Sequence, residues 1–217
     1  MIKRITHSIG FRAMTWYQPL LLARRHDAVR CFFKQSGDVH SYTTPDELLL
    51  LAAYAGHVRS DSAIVEIGSY VGASTRYLVH GSRQAKSQVI CIDTWMNETM
   101  PSGMRNTCSE FVVNLEPHMD RIKLLRGDSA QFSSEDIPAS IGLAFIDADH
   151  SYEAVKRDLA LVGSKIIDGG YIAFHDIAAF QGVSRCVGEL LSDGKHRIVD
   201  HVNNLVVIQN RLFDKHL

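Results

Sequence analysis

Five apolar runs in this chain stop on an acid or a histidine: VEI closes around Glu66, VICID on Asp93, IKLLRGD on Asp128, LAFID on Asp147 and YIAFHD on His175-Asp176. Carboxylates accept hydrogen bonds from hydroxyls, pair with ammonium groups or ligate hard cations, and imidazole exchanges protons near neutral pH. Such groups gathered at the ends of apolar segments do not read as a solvated face. The richest stretch is FIDADHSYEAVKRDL, residues 145–159, which carries Asp147, Asp149 and His150. A helix cap at Ser151 with Asp149 beside the helix dipole explains part of it. It leaves Asp147 and His150 over, and a second His-Asp pair follows at His175-Asp176.

The segment AIVEIGSYVGAST, residues 63–75, adds a ligand loop. An apolar strand runs into Gly68 and Gly72, which permit a tight turn, and Ala73 to Leu78 open a helix. The dinucleotide fingerprint G-x-G-x-x-G would need glycine where Tyr70 stands, and no Gly-Lys-Ser/Thr follows for a phosphate loop. What remains is E-x-G-x-x-x-G. The Glu66 carboxylate repels a pyrophosphate but suits a cofactor carrying an ammonium and a sulfonium, which points to S-adenosylmethionine (SAM). Asp93 lies 27 residues beyond Glu66 at the next strand end, the place for an acid that accepts both ribose hydroxyls.

Strands and helices alternate to position these groups. Thr44-Pro45-Asp46-Glu47 is a capping box that launches a helix to Ala55. Strands are expected at 62–67, 88–92, 122–125, 141–146 and 171–174. Thr94 to Asn106 reads as a loop, Arg105 to Met119 as a helix, and Ala130 to Ser134 as a short helix capped by Asp128-Ser129. Val155, Leu159, Val162 and Ile166 mark a helix packed on a sheet, which Gly169-Gly170 should end. Val183 to Leu191 is a further helix, and 198–202 with 205–208 a hairpin turning at Asn203-Asn204. This predicts an α/β fold: a doubly wound, mostly parallel, Rossmann-like sheet with an antiparallel C-terminal strand, binding its ligand beyond the carboxyl ends of the strands.

Bulk properties exclude more than they name. The 217 residues are 46% hydrophobic and 22% charged, the balance of a globular chain with one main domain, and the net charge of −1 gives no reason to expect a nucleic-acid partner. The first 26 residues carry Lys3, Arg4, Arg12, Arg24 and Arg25 without an acid. Their longest apolar run, Leu20 to Ala23, is too short for a signal peptide, and no run approaches a membrane span. Residues 1–43 are therefore expected to form a helical cap, with Phe11, Trp16, Tyr17 and Leu20 to Leu22 offering apolar surface for a homodimer contact. Residues 44–217 form the main domain. Scattered cysteines at 31, 91, 108 and 186 fit a reducing, cytoplasmic setting and exclude a zinc ribbon.

Taken in order, EIGSYVG, CIDTW, RGDS, FIDADHSYEAV and GGYIAFHD resemble the class I SAM-dependent methyltransferases. Within them the chain is most similar to the small O-methyltransferases related to the catechol and caffeoyl-CoA enzymes and to the macrocin and sugar O-methyltransferases, over roughly residues 44 to 209. The resemblance implies that Glu66, Gly68 and Gly72 form the cofactor loop and that Tyr70 and Ser74 line the methionine end of SAM. It gives Asp93 the ribose, Asp128-Ser129 the adenine side, and Asp147 both the SAM amino group and a divalent metal. Metal-dependent relatives carry an acid pair or Asp-Asn where this chain has His175-Asp176. Mg²⁺ prefers oxygen donors and imidazole favours softer ions, so Mg²⁺ or Mn²⁺ on Asp147, His175 and Asp176 stands beside a metal-free site. The catechol enzyme's lysine falls at His150, whose ordinary pKa suits a general base, with His175 second.

The expected acceptor is a hydroxyl on a sugar, polyketide or catechol-like small molecule, walled by loop 94–106, where Trp95, Met96, Met100 and Met104 offer an apolar lid or fill the space beneath it. Two other classes compete. Asp147-Ala148-Asp149 is formally the D-x-D of nucleotide-sugar glycosyltransferases, and a SAM-fold protein can also serve as a non-catalytic binding partner. A nicotinamide dehydrogenase is third, because of Tyr70.

Overall fold

The computed structural model describes residues 39–97 and 103–211. One sheet runs through them, from β1 (Ala63–Ile67), β2 (Val89–Asp93), β3 (Ile122–Arg126), β4 (Ile141–Ile146), β5 (Ile166–Phe174), β6 (His196–Val202) and β7 (Leu205–Asn210). Its order is β3-β2-β1-β4-β5-β7-β6. The pairs among β1 to β5 are parallel, and β7 runs against both β5 and β6, as the expected antiparallel addition. The chain winds outward from β1 to β3, then returns to place β4 on the other side of β1. That reversal opens a crevice at the carboxyl ends of β1 and β4, the usual ligand site of such sheets.

Every residue of β1 and β4 is buried, because helices cover both faces. Alternation divides the strands between two cores. Val65 and Ile67 point to one core with Val155 and Val162 of α4 (Tyr152–Gly163) and Val183 and Val187 of α5 (Gln181–Leu191). Ile64 points to the other, with Leu51 of α1 (Pro45–Ala55), Leu78 of α2 (Ala73–Gly81) and Phe111 of α3 (Cys108–Leu115). Glu66, in phase with Ile64, therefore faces α2.

Three expectations are corrected. The helix after residue 152 stops at Gly163, and Gly169-Gly170 lie inside β5, where the register jumps from Ile141↔Ile166 to Leu143↔Tyr171. Gly169, at φ +74°, absorbs the surplus chain as a bulge whose carbonyl accepts from Gln209 Nε2. The helix expected from Arg105 starts only at Cys108 and tightens at Leu115 into a 3₁₀ turn, Glu116–Arg121, because Pro117 has no N–H to continue it. The short helix at 130–134 is instead a 3₁₀ turn, Ser129–Gln131, that Asp128 caps. The compact unit holding the sheet begins at Val39, and the expected N-terminal cap and dimer contact lie outside the described residues.

Candidate active site

Gly68 and Gly72 both sit at φ +90°, and the loop between them is held at two points. Glu66, fully buried, takes hydroxyl hydrogen bonds from Ser69 (2.7 Å), Ser74 (2.6 Å) and Thr75 (2.5 Å), with the Cys91 thiol at 3.4 Å. Burial raises its pKa and these donors oppose the rise. The carboxylate is not presented to the crevice, so it acts on a ligand through the loop it shapes. Asp93 binds the outside of the same loop: Oδ2 accepts the Ser69 and Tyr70 N–H groups at 2.7 and 2.8 Å, and Oδ1 accepts the Trp95 N–H at 2.6 Å. That grip holds Tyr70 at φ 48°, a left-handed conformation a tyrosine seldom adopts. Its hydroxyl accepts from Arg105 Nη2 at 3.2 Å, and its ring lies 5.7 Å from that of Tyr42.

At the ends of β4 and β5 the sequence-distant groups meet. His175 Nδ1 lies 3.3 Å from Asp147 Oδ1 and 3.5 Å from Asp176 Oδ1, and its Nε2 lies 3.3 Å from Glu47 Oε2 on α1. His150 Nε2 lies 3.2 Å from Asp176 Oδ2 and 3.7 Å from Asp147 Oδ1, outside hydrogen-bond alignment, while its ring stacks on Phe180 with centroids 4.2 Å apart. Asp176 holds φ 59°, a left-handed conformation that aspartate adopts more readily than most residues. Burial alone would lower the His175 pKa, yet the Asp147 and Asp176 carboxylates push it up to about 11. His150 rises too, because the same acids outweigh its desolvation. Burial would raise the Asp147 carboxyl, but the two imidazoles beside it hold its pKa below the ordinary value.

The two histidines differ in access. The His175 side chain is 6% exposed with both nitrogens turned to carboxylates, whereas that of His150 is 27% exposed. Asp147, His175 and Asp176 each bring a donor atom within 4.8 Å of the others. Asp149 does not join them. Its Oδ1 accepts the Ser151 N–H at 2.7 Å, so the D-x-D of the sequence is a helix-start motif and not a joint pair.

Asp128 caps its turn through the Ala130 N–H at 2.8 Å, and Ser129 hydrogen-bonds to Asp158 of α4. Asp158 is 1% exposed with one carboxylate oxygen unpartnered, and burial pushes its pKa up to about 6 from 3.8. A carboxyl raised in the folded state favours folding while protonated, and stability falls as pH climbs from about 4 to about 6, by on the order of 3 kcal/mol. Asp158→Asn is expected to flatten that fall, measured by urea unfolding at pH 4, 5, 6 and 7. An unchanged pH slope would contradict this assignment. Of the two readings of the loop, Trp95 follows the space-filling one: it is fully buried, edge-on to Phe111 at 5.2 Å, and belongs to the core. Met104 is 71% exposed, and Met100 lies outside the described residues.

Sequence reasoning missed Glu47, Phe180 and Asp158 as neighbours of these groups. Glu47 was legible only as a helix cap, Asp158 only as the polar side of a helix, and Phe180 carried no signal.

The family model described as Methyltransferase domain matches residues 65–177, just over half of the chain. An uncharacterized protein of Acanthamoeba polyphaga mimivirus is 29% identical over 119 residues, and the chain spans about half (52%) of that relative's length. Among solved structures, the O-methyltransferase NovP matches at TM-score 0.68 and 14% identity over 81% of this chain and 84% of its own. The O-methyltransferase TomG of Streptomyces achromogenes, solved with SAM, matches at 0.61 and 14% over 88% and 89%. CalS11, a TDP-rhamnose 3'-O-methyltransferase of calicheamicin biosynthesis, matches at 0.59 and 17% over 75% and 76%. These likenesses agree in fold with the doubly wound sheet and its switch-point crevice, and with the family match they show that the chain belongs to the methyltransferase domain family.

Proposed function

We propose that this protein transfers a methyl group from S-adenosylmethionine to a hydroxyl of a small-molecule acceptor, with a sugar-containing acceptor as the first class to try. The observation that carries the reading is the placement of His150, Asp147 and Asp176 at the ends of β4 and β5, beside the glycine loop that closes β1. NovP, TomG and CalS11 are named O-methyltransferases, and CalS11 acts on a deoxysugar, which supports both halves of the proposal.

Bound SAM supplies an electrophilic methyl group on a sulfonium. In this reading the chain's work is alignment and proton removal. Gly68, Tyr70, Gly72 and Ser74 shape the loop around the methionine end, Asp93 takes the ribose hydroxyls, Asp128-Ser129 border the adenine, and Asp147 takes the ammonium. Alignment of acceptor and methyl can supply roughly 7–11 kcal/mol of the barrier. His150, the accessible imidazole, takes the acceptor's proton, and the acids behind it stabilise the resulting imidazolium. The buried His175 does not reach an acceptor and serves to hold the two acids.

A divalent metal fits the same residues. The His175 Nδ1 edge faces Asp147 and Asp176 while a carboxylate holds Nε2, the arrangement that orients metal-ligating histidines. With one nitrogen and two carboxylates Mn²⁺ suits the set better than Mg²⁺, and its contribution would be to lower the acceptor hydroxyl's pKa. No described helix is long and apolar enough to cross a membrane.

Methyl transfer from labelled SAM to a panel of sugar, polyketide and catechol hydroxyls tests the reaction. Turnover on one class supports the reading, and SAM binding without turnover on any favours the non-catalytic alternative. Asp93→Ala removes both the ribose acceptor and the anchor of three loop N–H groups. Loss of charged hydrogen bonds of this kind is expected to raise the Kd for S-adenosylhomocysteine roughly 10- to 100-fold in a calorimetric titration. A Kd within twofold of wild type would remove Asp93 from the cofactor site.

A further inference from the structure

Glu47 is bonded far beyond what a helix cap requires. In a capping box the glutamate need only reach back to the N-cap N–H from the surface. Here it is 1% exposed, and both oxygens are occupied. Oε2 accepts the Thr44 N–H and hydroxyl at 2.7 and 2.8 Å and faces His175 Nε2 at 3.3 Å. Oε1 accepts the Asn204 N–H, in the turn between β6 and β7, at 2.8 Å, while Asn203 Nδ2 donates to Thr44 Oγ1 at 3.1 Å. A carboxylate withdrawn from water is costly unless a charged or polar partner meets it, and capping alone gives no reason to bury one. Beyond the neutral donors of Thr44 and Asn204, its one partner able to carry charge is the imidazole whose far edge meets Asp147 and Asp176.

We propose that Glu47 is a positioning residue: it holds His175 Nε2 so that Nδ1 faces Asp147 and Asp176, and so ties α1 and the β6–β7 turn to the reacting centre. Rotation of the ring about its Cβ–Cγ bond would leave the buried carboxylate with neutral donors alone, those of Thr44 and Asn204. One acid on the sheet's covering helix thereby sets the direction in which the imidazole edge is presented. The cation-binding consequence rests on the methyltransferase reading with a metal at Asp147, His175 and Asp176; the orienting role does not.

Glu47→Gln separates the two jobs, because glutamine also serves at the third position of a capping box while it lacks the charge and can donate to Nε2. The full-length protein and this variant are compared by ¹⁵N NMR of labelled histidine, by calorimetry with Mn²⁺ alone, and by calorimetry with S-adenosylhomocysteine. The expected result is displaced His175 ring-nitrogen resonances, Mn²⁺ affinity lowered about 10- to 100-fold as for other lost partners of metal-ligating histidines, and S-adenosylhomocysteine binding within twofold. Thr44→Val is the second variant. It removes the hydroxyl of the cap, leaves the carboxylate on His175, and is expected to keep the wild-type ring resonances. Wild-type resonances in Glu47→Gln, or equal displacement in Thr44→Val, would overturn the proposal. If wild-type protein binds no Mn²⁺ but Glu47→Gln still displaces the His175 resonances, the metal reading falls and the positioning role stands.

Discussion

Replacing Gly68 by alanine is expected to abolish S-adenosylhomocysteine binding and to cost the fold about 4 kcal/mol or more, in the range reserved for severe single substitutions. A Cβ on Gly68 would lie 2.1 Å from the Asp147 carbonyl oxygen, 2.6 Å from its carbon and 2.9 Å from the Ala148 nitrogen. All three are backbone atoms, so no flexible side chain can give way. The backbone at φ +90° adds roughly 1–2 kcal/mol for any residue with a Cβ. Relief requires parting β1 from β4, where Asp147 N–H donates to Ile67 O, or drawing Gly68 away from β2, where its N–H donates to Ile92 O, each at 2.9 Å. The strands would open at the crevice itself. Two other glycines serve as controls. Gly103 also has positive φ but nothing within 4 Å, so alanine there should cost only about 1–2 kcal/mol. Gly188 lies inside α5 in open space, and alanine there should stabilise by roughly 0.5–1 kcal/mol. Thermal unfolding of the three variants checks the order. A Gly68→Ala protein as stable as Gly103→Ala would refute the close approach.

His150→Ala is expected to lower kcat by roughly 10²–10⁴-fold, the usual contribution of a positioned general base, with the KM for SAM changed little. His150 stacks on Phe180, itself 44% exposed, at the outer edge of the cluster, and Asp147 and Asp176 stand behind its Nε2. Because Nε2 is closed to solvent and faces the acids, the acceptor's proton would be taken at Nδ1, and the resulting imidazolium is stabilised by two carboxylates at its other nitrogen. Steady-state kinetics on whichever acceptor turns over decide it. A kcat within twofold of wild type would assign proton removal to water, a metal or another side chain.

Much of this was legible because parallel strands covered on both faces must be apolar throughout, so the first polar residue marks the strand end and the ligand side together. Asp93, Asp147 and His175-Asp176 were placed at strand ends that way, Glu66 falls one residue inside its strand, Asp128 was marked by the glycine before it on an edge strand that carries Lys123, and the hairpin turning at Asn203-Asn204 followed from local turn chemistry. What the spacing did not carry was partnership across the sheet. Glu66 looked like a group offered to a cofactor, yet hydroxyls from its own loop and helix enclose it. Glu47 read as a local cap because its contact with His175 spans 128 residues. Gly169-Gly170 read as a helix stop because a bulge inside a strand and a helix end both call for glycine, and only pairing with β4 and β7 distinguishes them. Trp95 beside a loop rich in methionine suited a lid or a filler equally, and the packing of Phe111 against it decides for the filler.

The central claim is that the crevice beyond β1 and β4 binds the methyl donor. Its most direct test is calorimetric titration of the purified protein with S-adenosylhomocysteine, in EDTA and then with Mn²⁺ or Mg²⁺. The account predicts one site per chain with micromolar affinity, weakened roughly 10- to 100-fold in Asp93→Ala. Absence of binding under every condition, with UDP- or TDP-sugar binding in its place, would contradict it.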